Sequence, residues 1–448
     1  MNDSAVALPS ESELQTRVAL ALDAARVAGA TEAEASISAS RGLTVSVRKG
    51  EVESLEFQQD RDLGVTVYVG RRKGNATTGD LSDAGIRSAI DAAMAIARFT
   101  GEDPYNGLAD PSLLARGPFP DLDLDHPWTI NADQAVDLAI ECEAAALAVD
   151  PRITGSEGAS VNTHRGTSIY ANSNGFVGYR QGTHHSLSCA VIASDANGMQ
   201  RDYWYSSTRR PQDLMAADAL GAKAGRRALA RLGAQRMATC QAPVLFPAEL
   251  ARGFWGHLLQ AISGSALYRK ASFLLDKLDQ PVCADCVTLE QRPLIPIGAG
   301  SAAFDSEGVA TRERTLVDAG VLKGWLLGSY SARKLGLQTT GNAGGVFNLL
   351  VTPGTDDFEA LVRRMHRGLI VSELLGHGVN LITGDYSRGA AGFWVENGEI
   401  VHPVEEITIA ANLADMYRGI VAIGNDIEPF SNVRTGSVLI EQMTLAGH

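Results

Sequence analysis

Two hydrophobic periods alternate along this chain. Between Ser10 and Ala28 (SESELQTRVALALDAARVA) apolar positions recur at helical spacing, and Ser10 with Glu13 forms a capping box that marks a helix start. From Glu34 to Thr78 the period shortens to two. The segments EASISAS, TVSVRKG, EVESLEFQQ, LGVTVYVG and RKGNATTG predict an antiparallel sheet of about four or five strands. Ser82 to Phe99 returns to helical spacing, with Asp83 early and Arg98 late, as a helix macrodipole favours. The same order then recurs. A helix over Asn131–Val149, N-capped by Asn131, precedes the segments ITGSEGASVNTHRG, TSIYANSNGFVGYRQG, THHSLSCAVIASDANG and MQRDYWYSSTRR, with hairpin turns at Asn174-Gly175 and Asn197-Gly198. A helix over Gln212–Leu232 closes this unit. Between the two units, residues 101–129 hold Pro104, Pro111, Pro118, Pro120 and Pro127 with little periodicity, and read as a connection.

The stretch Ala242–Phe273 organises the remainder. Pro243-Val244-Leu245-Phe246 reads as a strand broken at Pro247, and Leu250, Phe254, Leu258 and Ile262 then recur on one helix face. Gly253 and Gly256 lie among the bulky residues of that helix, where a missing side chain leaves room for a ligand or another backbone at a cost in helix propensity. Beyond it runs a glycine-rich β region with helical interruptions near Ser331–Leu335 and at Asp357–Arg367. The expected fold class is α+β. An N-terminal unit spans residues 1–115, a central unit 125–235 and a larger β-rich unit 240–448.

At 448 residues with 45% hydrophobic and 20% charged side chains, the chain can bury several cores and has no composition bias toward disorder. A net charge of −13 with only short, scattered basic clusters argues against a nucleic-acid partner. No run of 18 apolar residues and no basic-then-apolar leader occurs, so no membrane association is expected and a cytoplasmic location is. The five cysteines read as reduced thiols, and the lone Cys283-Ala-Asp-Cys286 pair reads as structural.

Candidate chemistry is sparse. His184 and His185 adjoin in a strand and so point to opposite faces, while His126, His164, His366, His402 and His448 stand alone and read as surface residues. Glu373 and His377 are four apart, which on a helix would put them on one face, and the stretch reads as a helix ending at Gly376-His377-Gly378. No G-x-S-x-G elbow, Walker A sequence or strand-linked G-x-G-x-x-G is found. Residues 382–399 read as a strand, a glycine-rich turn, a second strand and an Asn397-Gly398 hairpin. There Gly389 and Gly392 expose amides that an extended peptide could use as an added strand, making Asp385, Tyr386, Arg388, Gly389 and Gly392 a candidate peptide-contact loop.

Three blocks together resemble the TldD/PmbA family of peptidase-related proteins, in its PmbA (TldE) branch: Phe304–Val309 with Tyr330–Gly336, Thr383–Arg388 through Glu396–Glu399, and Asn425–Glu428. The resemblance runs over nearly the whole chain. In the TldD branch it implies a helix carrying His-Glu-x-x-x-His, completed as a zinc site by a cysteine near the C-terminus, with the Glu activating a zinc-bound water. Laid on this chain, the motif reads Arg252-Gly253-Phe254-Trp255-Gly256-His257, and the C-terminal loop reads Gly424-Asn425-Asp426. Arg252, Gly253, His257 and Asn425 are therefore expected to be vestigial positions, with no metal or other cofactor in this chain and zinc in a TldD-type partner. The resemblance implies a TldD-like catalytic subunit as partner and unfolded peptide as substrate, with self-assembly into a homodimer as a competing association. Two alternatives stay open: a stand-alone metallopeptidase using His257 with Glu249 or Glu373, and a non-enzymatic binding or modulator protein.

Overall fold

The computed structural model describes residues 7–429 and 431–447; His448 lies outside the described residues. Its N-terminal half is one antiparallel sheet carrying two pairs of helices on one face. Helix α1 (Glu11–Val27) starts at the Ser10–Glu13 capping box, and α2 (Asp83–Phe99) is N-capped by Ser82. Strands β1 (Glu32–Arg48), β2 (Glu51–Val69) and β3 (Arg72–Thr78) lie beside β4 (Ile153–Asn172), β5 (Val177–Asp195) and β6 (Gly198–Thr208), in the order β3-β2-β1-β4-β5-β6. Helices α3 (Ala132–Leu147), capped by Asn131, and α4 (Ala217–Ala230) cover the second half.

Strands here are fewer and longer than the hydrophobic pattern predicts: three between Glu32 and Thr78, and three again from Ile153 to Thr208. The polar breaks read as turns lie within strands. Arg41, Arg165, Thr167 and Gln181 line a cleft in the sheet, between the core under α1 and α2 and the core under α3 and α4. Alternation lapses there without any reversal of the chain. Pairing of β1 with β4, from Glu34 opposite Asn172 to Val47 opposite Ala159, joins the two units into a single sheet.

The C-terminal part is built on a closed ring of strands. β7 (Cys240–Phe246) leads into α5 (Ala248–Ala261) and the short α6 (Gly264–Tyr268). A small sheet follows, with β8 (Leu289–Gln291), β9 (Arg314–Asp318), β10 (Val321–Leu322) and β11 (Leu349–Val351), interrupted by α7 (Ser329–Leu335) and followed by α8 (Phe358–Met365). β12 (Gly368–Leu375), β13 (Asp385–Glu396), β14 (Glu399–Asn412), α9 (Leu413–Arg418), β15 (Ile420–Ile423), β16 (Val433–Arg434) and β17 (Val438–Ala446) complete the chain. Strand order β14-β13-β12-β7-β17, with β17 pairing back to β14, closes the ring, and the fold class is α+β.

Two local expectations are overturned. Ser372–Leu375 belongs to strand β12 and not to a helix end, because its apolar predecessors Leu369–Val371 are buried between β7 and β13. Gly389 and Gly392 lie within β13 and not in a turn. Both edges of β13 are paired there, with Gly389 opposite Leu375 and Thr408, so its amides are engaged in the sheet and have no free edge for an added strand. A methyl group on Gly392 would meet the Ile370 carbonyl oxygen at 2.1 Å, which explains why the position carries no side chain. The Asn397-Gly398 hairpin turn forms as expected, both residues having positive φ.

Candidate functional site

The site is organised by α5. Ala248, Ala251, Phe254, Trp255, Leu258 and Ala261 are buried at helical spacing. They pack into an aromatic cluster in which the Phe254 and Tyr417 rings lie 4.5 Å apart and the Phe246 and Phe254 rings stack at 5.8 Å. Two polar anchors fix the helix: Trp255 Nε1 donates to Thr435 Oγ1 at 3.0 Å, and the Tyr417 hydroxyl donates to the Phe254 carbonyl at 2.7 Å. The opposite face, with Arg252, Gly253 and His257, is turned toward two clefts.

The first cleft, about 310 Å³, lies between α5, β6, α4 and β12 and holds Arg252 and Gly253. It is dense in paired charge. Arg227 from α4 bridges Asp202 at 3.2 Å and Glu249 at 3.0 Å, and Arg231 binds Glu373 at 2.6 Å. The Arg252 guanidinium lies 5.6 Å from the centre of the Tyr205 ring, and Lys223 Nζ lies 3.4 Å from that of Trp204. Burial pushes the Glu428 carboxyl up, while Lys223 and Arg252 pull it back, which places this carboxylate in the same charge network.

The second cleft, about 600 Å³, holds His257 with Gln260, Ser263, Arg269, His377 and Asn380. The His257 ring meets Tyr386 edge-on at 6.0 Å. Burial lowers the imidazole's proton affinity and the nearby Arg388 lowers it further. Burial pushes the Tyr386 phenol up to about 12. Arg388 lines both clefts. Its Nη2 reaches the Leu374 carbonyl at 3.3 Å, and its buried Nε has no hydrogen-bond partner.

The fold thus gathers Arg252, Gly253, His257, Tyr386 and Arg388 around α5 and β13. Asn425 is elsewhere: its side chain donates to the Thr355 carbonyl at 3.0 Å and its amide to that of Asp356, and it lines neither cleft. Asp385 is exposed and accepts from the Thr383 hydroxyl. Glu249 and Glu373, weighed as partners for His257, face the other cleft and are held by arginines. Among the described residues no group of three or more His, Cys, Asp or Glu side chains converges. One imidazole beside a guanidinium, with a second arginine at the motif's first-ligand position and a glycine at its general-base position, does not fit a three-ligand catalytic zinc. Asp202, Arg227, Arg231 and Glu428 were missed as site residues. Arg226-Arg227 is visible as a basic pair, but its acidic partners are distant in sequence.

The first of the blocks that carry the family resemblance joins the halves of the molecule. Arg180 of β5 donates to the Phe304 carbonyl and lies 4.0 Å from the Phe304 ring centre. The Asp305 carboxylate accepts from the amides of Glu307, Val309 and Ala343, each at 2.9 Å. Arg333 donates to the carbonyls of Tyr105, Gly107 and Leu108 in the linker.

Family models match in three consecutive segments: PmbA/TldA metallopeptidase domain 1 over residues 33–97, the central domain over 125–232 and the C-terminal domain over 239–447. The chain is 50% identical over 415 residues to Metalloprotease PmbA of Escherichia coli O157:H7, covering 93% of this chain and 92% of that one. Among solved structures, a protein from Bacteroides thetaiotaomicron described as a candidate modulator of DNA gyrase superposes with a TM-score of 0.93 at 28% identity, covering 98% of this chain and 100% of that one. TldE from Thermococcus kodakarensis superposes with a TM-score of 0.84 at 20% identity, covering 96% and 100%, a likeness of fold.

Proposed function

Since this chain belongs to the PmbA/TldA metallopeptidase family, we propose that it is the PmbA/TldE-type subunit of a two-subunit cytoplasmic peptidase, handling unfolded peptide while a TldD-like subunit supplies the zinc and the general base. The observation that carries this is the polar face of α5, where Arg252 and Gly253 stand at the ligand and base positions of the motif and His257 faces a different cleft. Glu249 and Glu373 are tied to arginines and so are poor substitutes.

A role in holding peptide is supported by β12. β7 pairs with β12 only at Leu369 and Ile370, because β7 gives way to α5 after Phe246. Among the described residues, Val371–Leu375 of β12 pairs as a strand with β13 alone, the Leu374 carbonyl also accepting from Arg388, and Ser372, Glu373 and Leu374 line the Arg252 cleft. An extended segment can add to that edge through backbone hydrogen bonds with little regard to its sequence. Added-strand binding therefore moves from β13, where the sequence placed it, to β12.

The test is cleavage of an unfolded peptide by this chain, by a TldD-type subunit and by the mixture, with and without chelator. Cleavage is expected in the mixture and lost with chelator. Cleavage by this chain alone, with stoichiometric zinc that disappears in His257→Ala, would overturn the proposal, as would a mixture that neither associates nor cleaves.

A further inference from the structure

The two clefts beside α5 differ in how their charges are balanced. In the Arg252 cleft, Arg227 and Arg231 have carboxylate partners in Asp202, Glu249 and Glu373. The wall of the His257 cleft carries Arg269, Arg388, His257 and His377 and no aspartate or glutamate. Neither Arg269 nor Arg388 makes an ion pair among the described residues: Arg269 reaches the Tyr268 hydroxyl at 3.3 Å, and Arg388 reaches the Leu374 carbonyl and the neutral Tyr386 phenol. Arg388 is half-buried, and its side chain lines the cleft with no carboxylate beside it. Gln260, Ser263, Ser265 and Asn380 add neutral donors to the same wall.

In a chain of net charge −13, a cleft with two unneutralised guanidiniums is a local attractor for anions. Guanidinium forks match carboxylates in two-point geometry, and partial burial strengthens such bonds. We infer that the His257 cleft is a carboxylate-binding subsite that holds a bound peptide through Arg388 and Arg269. This inference rests on the peptide-handling role proposed above and names the group recognised. The carboxylate is supplied by the peptide's C-terminus or by an acidic side chain.

The test uses the full chain and fluorescence anisotropy of an N-terminally labelled, unstructured peptide with one internal glutamate. It is compared with its C-terminal amide and with a version in which that glutamate is glutamine. Loss of the contributing carboxylate is expected to weaken binding on the order of tenfold at low salt, with added salt narrowing the difference. A loss on amidation identifies the chain end as the source, and a loss in the glutamine version identifies the side chain. In Arg269→Gln and Arg388→Met the difference is expected to shrink, with Arg388→Lys retaining part of it. Arg269 is exposed, so its variant reports even if removing half-buried Arg388 unfolds the protein. Equal affinity for all three peptides would overturn the inference and leave peptide handling intact. Failure of every peptide to bind, with or without a TldD-type subunit, would remove both.

Discussion

Two histidines show how burial sets chemistry at the scale of single residues. His185 is fully buried, its ring nitrogens meeting Thr163 Oγ1 and the His126 carbonyl oxygen, each at 2.9 Å. Burial lowers its proton affinity despite the His126 carbonyl, and His257 is lowered by burial and then by Arg388. Both bind protons less readily folded than unfolded, so below the ordinary imidazole value of about 6.5 the unfolded chain takes up more protons. Their contribution is complete above that pH and is lost as pH falls. The urea unfolding midpoint is expected to drop between about pH 7 and pH 5, and His185→Gln to flatten that drop while lowering stability at pH 7. A pH-independent midpoint over that range would contradict the burial effect.

In α5 the apolar stripe read from the sequence is buried at Phe254, Leu258 and Ile262, while Leu250 is half-buried at the Arg252 cleft. The glycines of α5 behave otherwise than their spacing suggested. A methyl group on Gly253 or Gly256 would meet nothing within 4 Å, so neither residue permits a close packing contact within this chain. Gly256→Ala is therefore expected to raise unfolding free energy by about 1 kcal/mol, the helix-propensity difference, as measured by chemical denaturation. Destabilisation would mean that a contact absent from the isolated chain fills that space. Ser372–Leu375 is set by pairing as well. The spacing of Glu373 and His377 fits a helix, yet pairing with β13 makes the segment extended, and local period cannot report a pairing partner.

The junction between the halves combines an aromatic cluster of Phe119, Phe176 and Phe304 with polar contacts. Arg333 places its guanidinium among three linker carbonyls at 2.7–3.0 Å, and the Tyr330 hydroxyl donates to Asp103 at 2.7 Å. Arg333→Ala is expected to cost about 2–3 kcal/mol, since it removes charge-assisted hydrogen bonds and leaves partly buried carbonyls unpaired. The loss is expected as faster proteolysis within residues 101–129, with the barrel core still folded. An unchanged cleavage rate there would show that the clamp is dispensable.

Helix starts with a local cap were legible, because capping residues and the 3.6-residue period belong to one segment: Ser10 with Glu13 and Asn131 form as read, whereas the helix read over Gln212–Leu232 shortens to Ala217–Ala230. The sequence by itself also showed what position 252 and position 253 lack, since chemical identity needs no coordinates. Strand length, the joining of two units through β1 and β4, and the pairing of both edges of β13 at Gly389 and Gly392 emerge only on folding. Tertiary structure likewise decided which arginines are neutralised. Arg231 and Glu373 are separated by 142 residues and meet at 2.6 Å, whereas Arg388 and Arg269 have no such partner among the described residues. The physical reason is the same throughout: backbone period and side-chain chemistry belong to a segment, whereas pairing, burial and charge balance exist only between segments brought together by folding.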